Sequence, residues 1–318
     1  MKQVILLVLL LISCTVFGQF AGPAGTIGST AMFRDTSDFV AWGTGCTVER
    51  GLIDIANEFA GVATFGLDTD GEGSANGTVV SLGDSGIAII TFDQGIMNGP
   101  GPDFAVFENG FSDYFLELAF VEVSTDGINY VRFPATSFAN DSIQIGPFDL
   151  GSEPEKINNL AGKYRASYGT PFDLDELIDS TQIDINDINY VKLVDVIGSI
   201  DAYASFDQYG NPINDPFATP FASGGFDLDA VGIIHQAPVG LNELSNHFVA
   251  FPNPVEVDQE VTIKSVVPIE GWSIYAIDGT LVAKGIEKQV PTNAIHRGNY
   301  LLQITTHSGI ETLRITVQ

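Results

Sequence analysis

Three groups of carboxylates contain the residues of this 318-residue chain best suited to chemistry. In Asp68-Thr69-Asp70-Gly71-Glu72-Gly73 acids alternate with small residues, and the glycines let the backbone curl until side-chain and carbonyl oxygens converge on a hard cation such as calcium. A full EF-hand loop would close on a bidentate Glu, but this chain has Val79 there, so a solvated turn is the competing reading. Asp103 and Glu108 flank the apolar run Phe104-Ala105-Val106-Phe107. Asp227 and Asp229 lie two apart, a spacing that on a strand puts both on one face about 7 Å apart. On a core face that pair demands a cation or hydrogen-bond donors; at a turn after Gly224-Gly225, or on an open face, it demands neither. The cofactor these groups imply is structural Ca2+.

A ligand surface is easier to place than a catalytic one. Residues 200–225 form a loop longer than about 15 residues, a length that in compact domains accompanies function or disorder. It carries Tyr203, Phe206, Tyr209, Phe217 and Phe221 among Pro212, Pro216 and Pro220, and Tyr164 and Tyr168 precede Gly169-Thr170-Pro171-Phe172. Aromatic side chains on a stiff loop stack on sugar faces while nearby Asp and Asn bind hydroxyls. The alternative is a flap whose aromatics cover an open sheet edge.

Catalytic motifs are missing. Three of the four histidines (His247, His296, His307) lie in the last 72 residues, only His235 sits near a strand, and no His-Glu-x-x-His, Gly-x-Ser-x-Gly or phosphate loop occurs. A polysaccharide hydrolase needs only two carboxylates and remains a rival reading, as does a structural adhesin or surface-coat component. The preferred reading is a non-catalytic binding protein for a glycan or another extracellular ligand.

The elements that must position these groups are strands. Residues 78–82, 86–92, 103–107, 115–123, 129–133, 190–196 and 226–235 are rich in Val, Ile, Phe and Tyr and bounded by Gly, Asp, Asn or Pro. Asp126-Gly127 reads as a hairpin turn. Helix is scarce: Asp173 with Glu176 gives a capping-box pattern good for about two turns, and residues 153–163 suggest another short helix. The pattern predicts an all-β chain, a jelly-roll β-sandwich over 19–237, a linker over 238–247 and a small C-terminal β-sandwich over 248–318.

Charge narrows the partners. Of the 40 Asp and Glu, 33 lie in residues 19–247 with only seven of the 13 Lys and Arg, a surplus that repels phosphate backbones and argues against nucleic acid. Of two cysteines, Cys14 falls in the leader, which leaves Cys46 alone, without a disulfide partner.

The two ends read as addresses. Lys2, an apolar run over 4–12 and Val16-Phe17-Gly18 give a signal peptide over 1–18, too short for a permanent span, so the mature chain carries no transmembrane segment. Leu11-Ile12-Ser13-Cys14 also matches a lipobox, which would instead lipidate Cys14. At the other end, Phe251-Pro252-Asn253-Pro254, then Asp278-Gly279, Gly298-Asn299-Tyr300 and Arg314 recur in an order that resembles the C-terminal sorting domain of the bacterial type IX secretion pathway. The resemblance implies export to the cell surface or beyond, with the type IX machinery as partner.

A second resemblance concerns the middle. Phe120-Val121-Glu122-Val123-Ser124-Thr125-Asp126-Gly127-Ile128-Asn129-Tyr130, with Tyr190-Val191-Lys192-Leu193-Val194-Asp195 and Phe226-Asp227-Leu228-Asp229-Ala230-Val231, is similar to strands of the galactose-binding-like jelly rolls, which include discoidin domains and carbohydrate-binding modules. Gly99-Pro100-Gly101-Pro102-Asp103-Phe104-Ala105-Val106-Phe107-Glu108-Asn109-Gly110 resembles an uncharacterised bacterial cell-surface family. Galactose-binding-like domains often hold a structural calcium between early and late strands, so the resemblance implies that one or two of these carboxylates do so here.

Overall fold

The computed structural model describes residues 20–237, 248–265, 267–293, 295–306 and 309–318. The signal-peptide and linker expectations fall outside them. The chain divides between residues 238 and 239 into two compact units.

In the first unit the strands are β1 (Met32–Phe33), β2 (Ala41–Trp42), β3 (Gly45–Glu49), β4 (Val80–Ser81), β5 (Ile87–Ile96), β6 (Phe104–Glu108) and β7 (Ala119–Ser124). They continue as β8 (Val131–Arg132), β9 (Thr136–Ser137), β10 (Ile157–Asn158), β11 (Leu160–Ala161), β12 (Tyr168–Phe172), β13 (Ile188–Asp195) and β14 (Asp227–Ile233). One antiparallel sheet runs β1-β12-β6-β14-β2, with β4 also on β14; the other runs β11-β7-β13-β5-β3, with β8 also on β7. Strands β9 and β10 pair separately. The fold is the all-β sandwich that the strand pattern predicts.

Period-two alternation builds the core. Phe104 and Val106 of β6 meet Val121 and Val123 of β7 and Val191 and Leu193 of β13 in one apolar cluster between the sheets. The intervening Ala105 and Phe107 bury the other face of β6 against Ala230, Phe39 and Trp42. Both faces of β6 are therefore covered, and all five of its residues are buried. The aromatic centre is Phe104, Phe133 and Phe172, with Phe172 stacked on Phe104 at 5.3 Å and edge-on to Phe133 at 5.0 Å.

Asp126-Gly127 forms the turn between β7 and β8. Gly127 takes φ +74°, and the exposed Asp126 carboxylate accepts the Ile128 and Asn129 N–H groups at 2.8 Å each, which holds its pKa well below the usual range. Both expected helices shrink. Asp173 accepts the Asp175 N–H at 2.9 Å over a single 3-10 turn (Leu174–Leu177), but Glu176 turns away to Asn159 instead of closing the capping box. Residues 153–163 give one 3-10 turn (Pro154–Lys156) followed by β10 and β11, because β11 is drawn into pairing with β7.

The second unit has β15 (Phe248–Phe251), β16 (Glu260–Ser265), β17 (Gly271–Ala276), β18 (Leu281–Gly285), β19 (Gln289–Pro291), β20 (Gly298–Thr306) and β21 (Gly309–Val317). A β15-β16-β19 sheet and a β18-β17-β20-β21 sheet enclose Val261, Ile263, Trp272, Ile274, Leu302, Ile304, Ile315 and Val317.

Candidate functional site

Alternation carries acids as well as apolar residues into the sandwich. Glu108 follows Phe104 and Val106 at the end of β6; Glu117 precedes Ala119, Val121 and Val123 of β7; Asp195 follows Val191 and Leu193 of β13. Each extends the spacing of residues that fill the inter-sheet core, and each is buried. Asp227, between the core residues Phe226 and Leu228 at the start of β14, and Asp215, from the 200–225 loop, are buried as well.

The carboxyls of all five are raised above their usual range. Burial first, then Asp227, pushes the Glu108 carboxyl well above the usual range. Burial and then Glu108, Asp227, Asp215 and Asp195 do the same to Glu117. Asp215 is raised by burial and Asp195, Asp195 by burial with Asp84 and Asp227 adding, and Asp227 reaches about 6 through burial. Some oxygens have donors. Asp195 accepts the Phe226 N–H at 2.7 Å and the Ser85 N–H at 3.0 Å, and Asp215 accepts the Leu118 N–H at 2.6 Å. Glu108 accepts the Gly110 N–H through Oε2 at 2.7 Å, and Asp227 takes the Ser81 hydroxyl. The buried Oε1 of Glu108 has no partner among the described residues.

Of the seven acids the sequence singles out, only Glu108 and Asp227 enter this group. The alternating loop does not gather its oxygens: Asp68 accepts the Val48 N–H at 3.1 Å, Glu72 the Cys46 N–H at 3.1 Å and Asp70 the Leu67 N–H at 2.8 Å. Cys46 and Val48 lie on β3, the last strand of its sheet, so two of the acids cap outward N–H groups of an edge strand. Asp103 accepts the Gly99 and Leu174 N–H groups at 2.7 and 2.6 Å and meets His235 Nδ1 at 2.8 Å. Asp229 accepts the Asn76 and Gly77 N–H groups at 2.9 and 3.1 Å, pinning the 76–77 loop. Asp227 and Asp229 take different donors, Ser81 and the Asn76 and Gly77 N–H groups, and a register shift between Leu228 and Ala230 falls where Asp229 sits. Glu117, Asp195 and Asp215 were missed; the signal for the first two was an acid in phase with an apolar strand face. Cys46 is unpaired, and burial followed by Asp68 and Glu72 pushes its thiol up to about 12, which removes it as a nucleophile.

The aromatics also separate. Tyr164 is fully buried with its hydroxyl 2.8 Å from Thr30, so it is a core residue and not part of a rim. Tyr168 stands on β12, tilted against Phe33 at 5.3 Å with Arg165 over its ring at 4.7 Å. Within the 200–225 loop, Tyr203, Phe206, Tyr209 and Phe221 are exposed. Phe221 pairs with Phe148 at 5.3 Å, and the Phe217 N–H ties the loop to the Ile145 carbonyl at 3.0 Å.

Tyr209 takes part in a more organised surface. Its ring stacks on Phe138 at 6.2 Å, and Phe138 stacks on Phe20 at 6.0 Å with the planes 5° apart. These rings line a groove of about 240 Å³ with Pro134, Thr136, Asn158, Asn159, Glu176 and Gln208. Gln208 donates to the Thr136 hydroxyl at 2.9 Å, and Asn159 donates to Glu176 at 2.5 Å, so the polar groups are held in place. Burial raises the Glu176 carboxyl above its usual range.

In the second unit the Pro-Asn-Pro segment docks through its asparagine. Asn253 donates to the Arg314 carbonyl at 2.8 Å and accepts the Thr316 N–H at 2.9 Å, a two-point contact with β21. Pro252 and Pro254 both follow cis peptide bonds. Asp278 accepts the Thr280 N–H at 2.9 Å, and Gly279 takes φ +85° in the turn between β17 and β18. Gly298 opens β20, and Tyr300 donates its hydroxyl to the His296 carbonyl at 2.8 Å.

No family model and no curated protein matches the chain. Among solved structures it is similar to a β-glucuronidase of Faecalibacterium prausnitzii at 13% identity and TM-score 0.21, over 90% of this chain and 46% of that one. A β-D-glucuronidase of Dictyoglomus thermophilum follows at 9% identity and TM-score 0.17, over 87% and 42%. A structure described as a biofilm associated protein BSP domain has 11% identity and TM-score 0.17, over 89% and 53%. The chain spans under half the length of the first two. No described helix is long and apolar enough to cross a membrane.

Proposed function

We propose that the chain is a non-catalytic binding protein of the cell surface or extracellular space, exported by the type IX route, whose first unit recognises a saccharide. The observation that carries the ligand class is the groove of Phe20, Phe138 and Tyr209. Flat rings beside two asparagines, a glutamine, a threonine and one carboxylate match the two faces of a sugar, apolar C–H groups and hydroxyls. The groove presents a single acid, Glu176, whereas glycoside hydrolysis requires two flanking the bond. This supports retention over cleavage. The Pro-Asn-Pro contact on β21 and the Asp278-Gly279 turn, which recur in the sorting-domain resemblance, support the export route.

Glycan-array binding of the purified protein tests the ligand class, followed by the same array with Phe138→Ala and Tyr209→Ala. Loss of two exposed stacking rings should weaken binding by about tenfold or more. Unchanged binding removes the groove as the site. Release of new reducing ends from any bound polysaccharide replaces the binding role with hydrolysis.

A further inference from the structure

We propose that Asp229, Asp103 and Glu108 protect three Asn-Gly pairs from spontaneous succinimide formation, and that Asn76 is the modification site that opens when its protection is lost. The chemistry needs only the chain and water, and it does not depend on what occupies the aromatic groove.

The sequence contains Asn76-Gly77, Asn98-Gly99 and Asn109-Gly110. A glycine after asparagine gives the next backbone nitrogen no neighbouring Cβ and wide conformational freedom, so the ring that consumes the asparagine closes most easily there. In that reaction the glycine nitrogen gives its proton to solvent base and attacks the asparagine Cγ. The N–Cγ bond forms, the Cγ–Nδ2 bond breaks and ammonia leaves. Water then opens the succinimide to aspartate or isoaspartate.

Each of the three glycine N–H groups is bound to a carboxyl. Gly77 donates to both oxygens of Asp229 at 3.1 Å, Gly99 to Asp103 Oδ1 at 2.7 Å and Gly110 to Glu108 Oε2 at 2.7 Å. All three carboxyls are buried. The bond opposes the reaction in two ways. The nitrogen must leave its acceptor before it can turn on the side chain, and the negative charge it gains on losing its proton would develop against a carboxylate.

At Asn76 the other requirements of the reaction are met. Asn76, Gly77 and Thr78 are exposed to water. Asn76 Oδ1 accepts the Thr78 N–H at 2.7 Å, which polarises the carbonyl under attack. A Cβ built on Gly77 would meet nothing within 4 Å, so no side chain walls off the nitrogen. What is withheld is the nucleophile: Asp229 takes the Asn76 N–H at 2.9 Å together with that of Gly77 and ties both to β14. The other two pairs have further cover. The Asn98 amide donates to Asp175 at 2.7 Å, a Cβ on Gly99 would stand 2.4 Å from His235 Nδ1, and Gly110 is buried.

The test is a long incubation of the full-length purified protein in mildly alkaline buffer, with peptide mapping that counts aspartate and isoaspartate at each of the three asparagines. In folded wild type, Asn76 should convert about tenfold more slowly, or slower still, than in the same protein unfolded in urea. Asp229→Ala should raise the rate at Asn76 by about tenfold while Asn98 and Asn109 keep their wild-type rates. Asp229→Asn, which keeps an acceptor oxygen, should give a smaller rise at Asn76 alone. Glu108→Gln should give the corresponding rise at Asn109 alone. The two distant asparagines report on the fold: if Asp229→Ala raises all three together it has unfolded, and Asp229→Asn then decides, a rise confined to Asn76 upholding the proposal and its absence overturning it. Folded wild type that converts at Asn76 as fast as the unfolded chain overturns it, as does an Asp229→Ala rate no higher than wild type. A rate below wild type would mean that the carboxylate draws the proton off the nitrogen instead of holding it there.

Discussion

Burial first and then the Glu108 carboxylate raise the Glu117 carboxyl, although Glu108 ends β6 in one sheet and Glu117 precedes β7 in the other. Each continues the alternation of its apolar strand neighbours into a buried position. A buried carboxyl at such a point is costly when ionised unless donors or a counter-charge meet it, and otherwise it keeps its proton.

The opposite arrangement occurs at Glu122. It lies directly across from Lys192 on β13 and from Arg132 on β8, accepts from Arg132 at 2.7 and 2.8 Å and pairs with Lys192. Those cations rest on rings, Arg132 over Phe120 and Lys192 over Tyr130, each at 4.1 Å. Glu122→Ala removes the shared partner of two positive charges and should cost about 2 kcal/mol, read from urea unfolding. Half a kilocalorie or less would mean that water replaces the carboxylate without loss.

Asp103 has a structural duty that a mutation exposes. It holds two backbone N–H groups and His235 from a fully buried position. Asp103→Ala should lower stability by about 3 kcal/mol, since a buried and a part-buried backbone donor lose their acceptor, and Asp103→Asn should recover part of it. Equal losses in both variants would mean that the charge, and not the acceptor, matters.

Lys163 gives a pH dependence with a definite sign. It is buried near Phe20 and Tyr164, and burial lowers its amine from 10.5 to about 8. Between those values the unfolded chain binds more protons than the folded one, so this residue makes stability rise as pH goes from about 8 to about 10.5. Its contribution is at most about 3 kcal/mol. Lys163→Met should flatten the alkaline rise in a denaturation series; a slope unchanged by the substitution contradicts the assignment.

Asp68 and Glu72 are assigned to capping the β3 edge. Asp68→Asn together with Glu72→Gln keeps acceptor oxygens and should cost no more than about 1 kcal/mol, whereas Asp68→Ala with Glu72→Ala should cost about 2 kcal/mol. Differential scanning calorimetry separates these cases. Unfolding of the Asn/Gln protein in the absence of any added metal would show that the charges there do more than accept hydrogen bonds.

The sequence by itself determined the local geometry. Period-two runs placed β5, β6, β7, β13 and β14, and Asp126-Gly127 placed the hairpin between β7 and β8, since alternation and turn chemistry act over a few residues. It also carried, unread, the phase of Glu108, Glu117 and Asp195 with their apolar neighbours. Two-residue strands such as β1, β2, β10 and β11 left no such trace, because pairing with distant partners and not their own periodicity makes them strands. Only the tertiary structure decided which acids are buried. Asp68, Asp70 and Glu72 are close in sequence yet turn to different backbone donors, whereas Glu108, Glu117, Asp195, Asp215 and Asp227 are buried from five separate segments. Alternation fixes the face a side chain points to, but which strand ends lie across the interior is set by sheet order, and sheet order is a long-range property that no local spacing encodes.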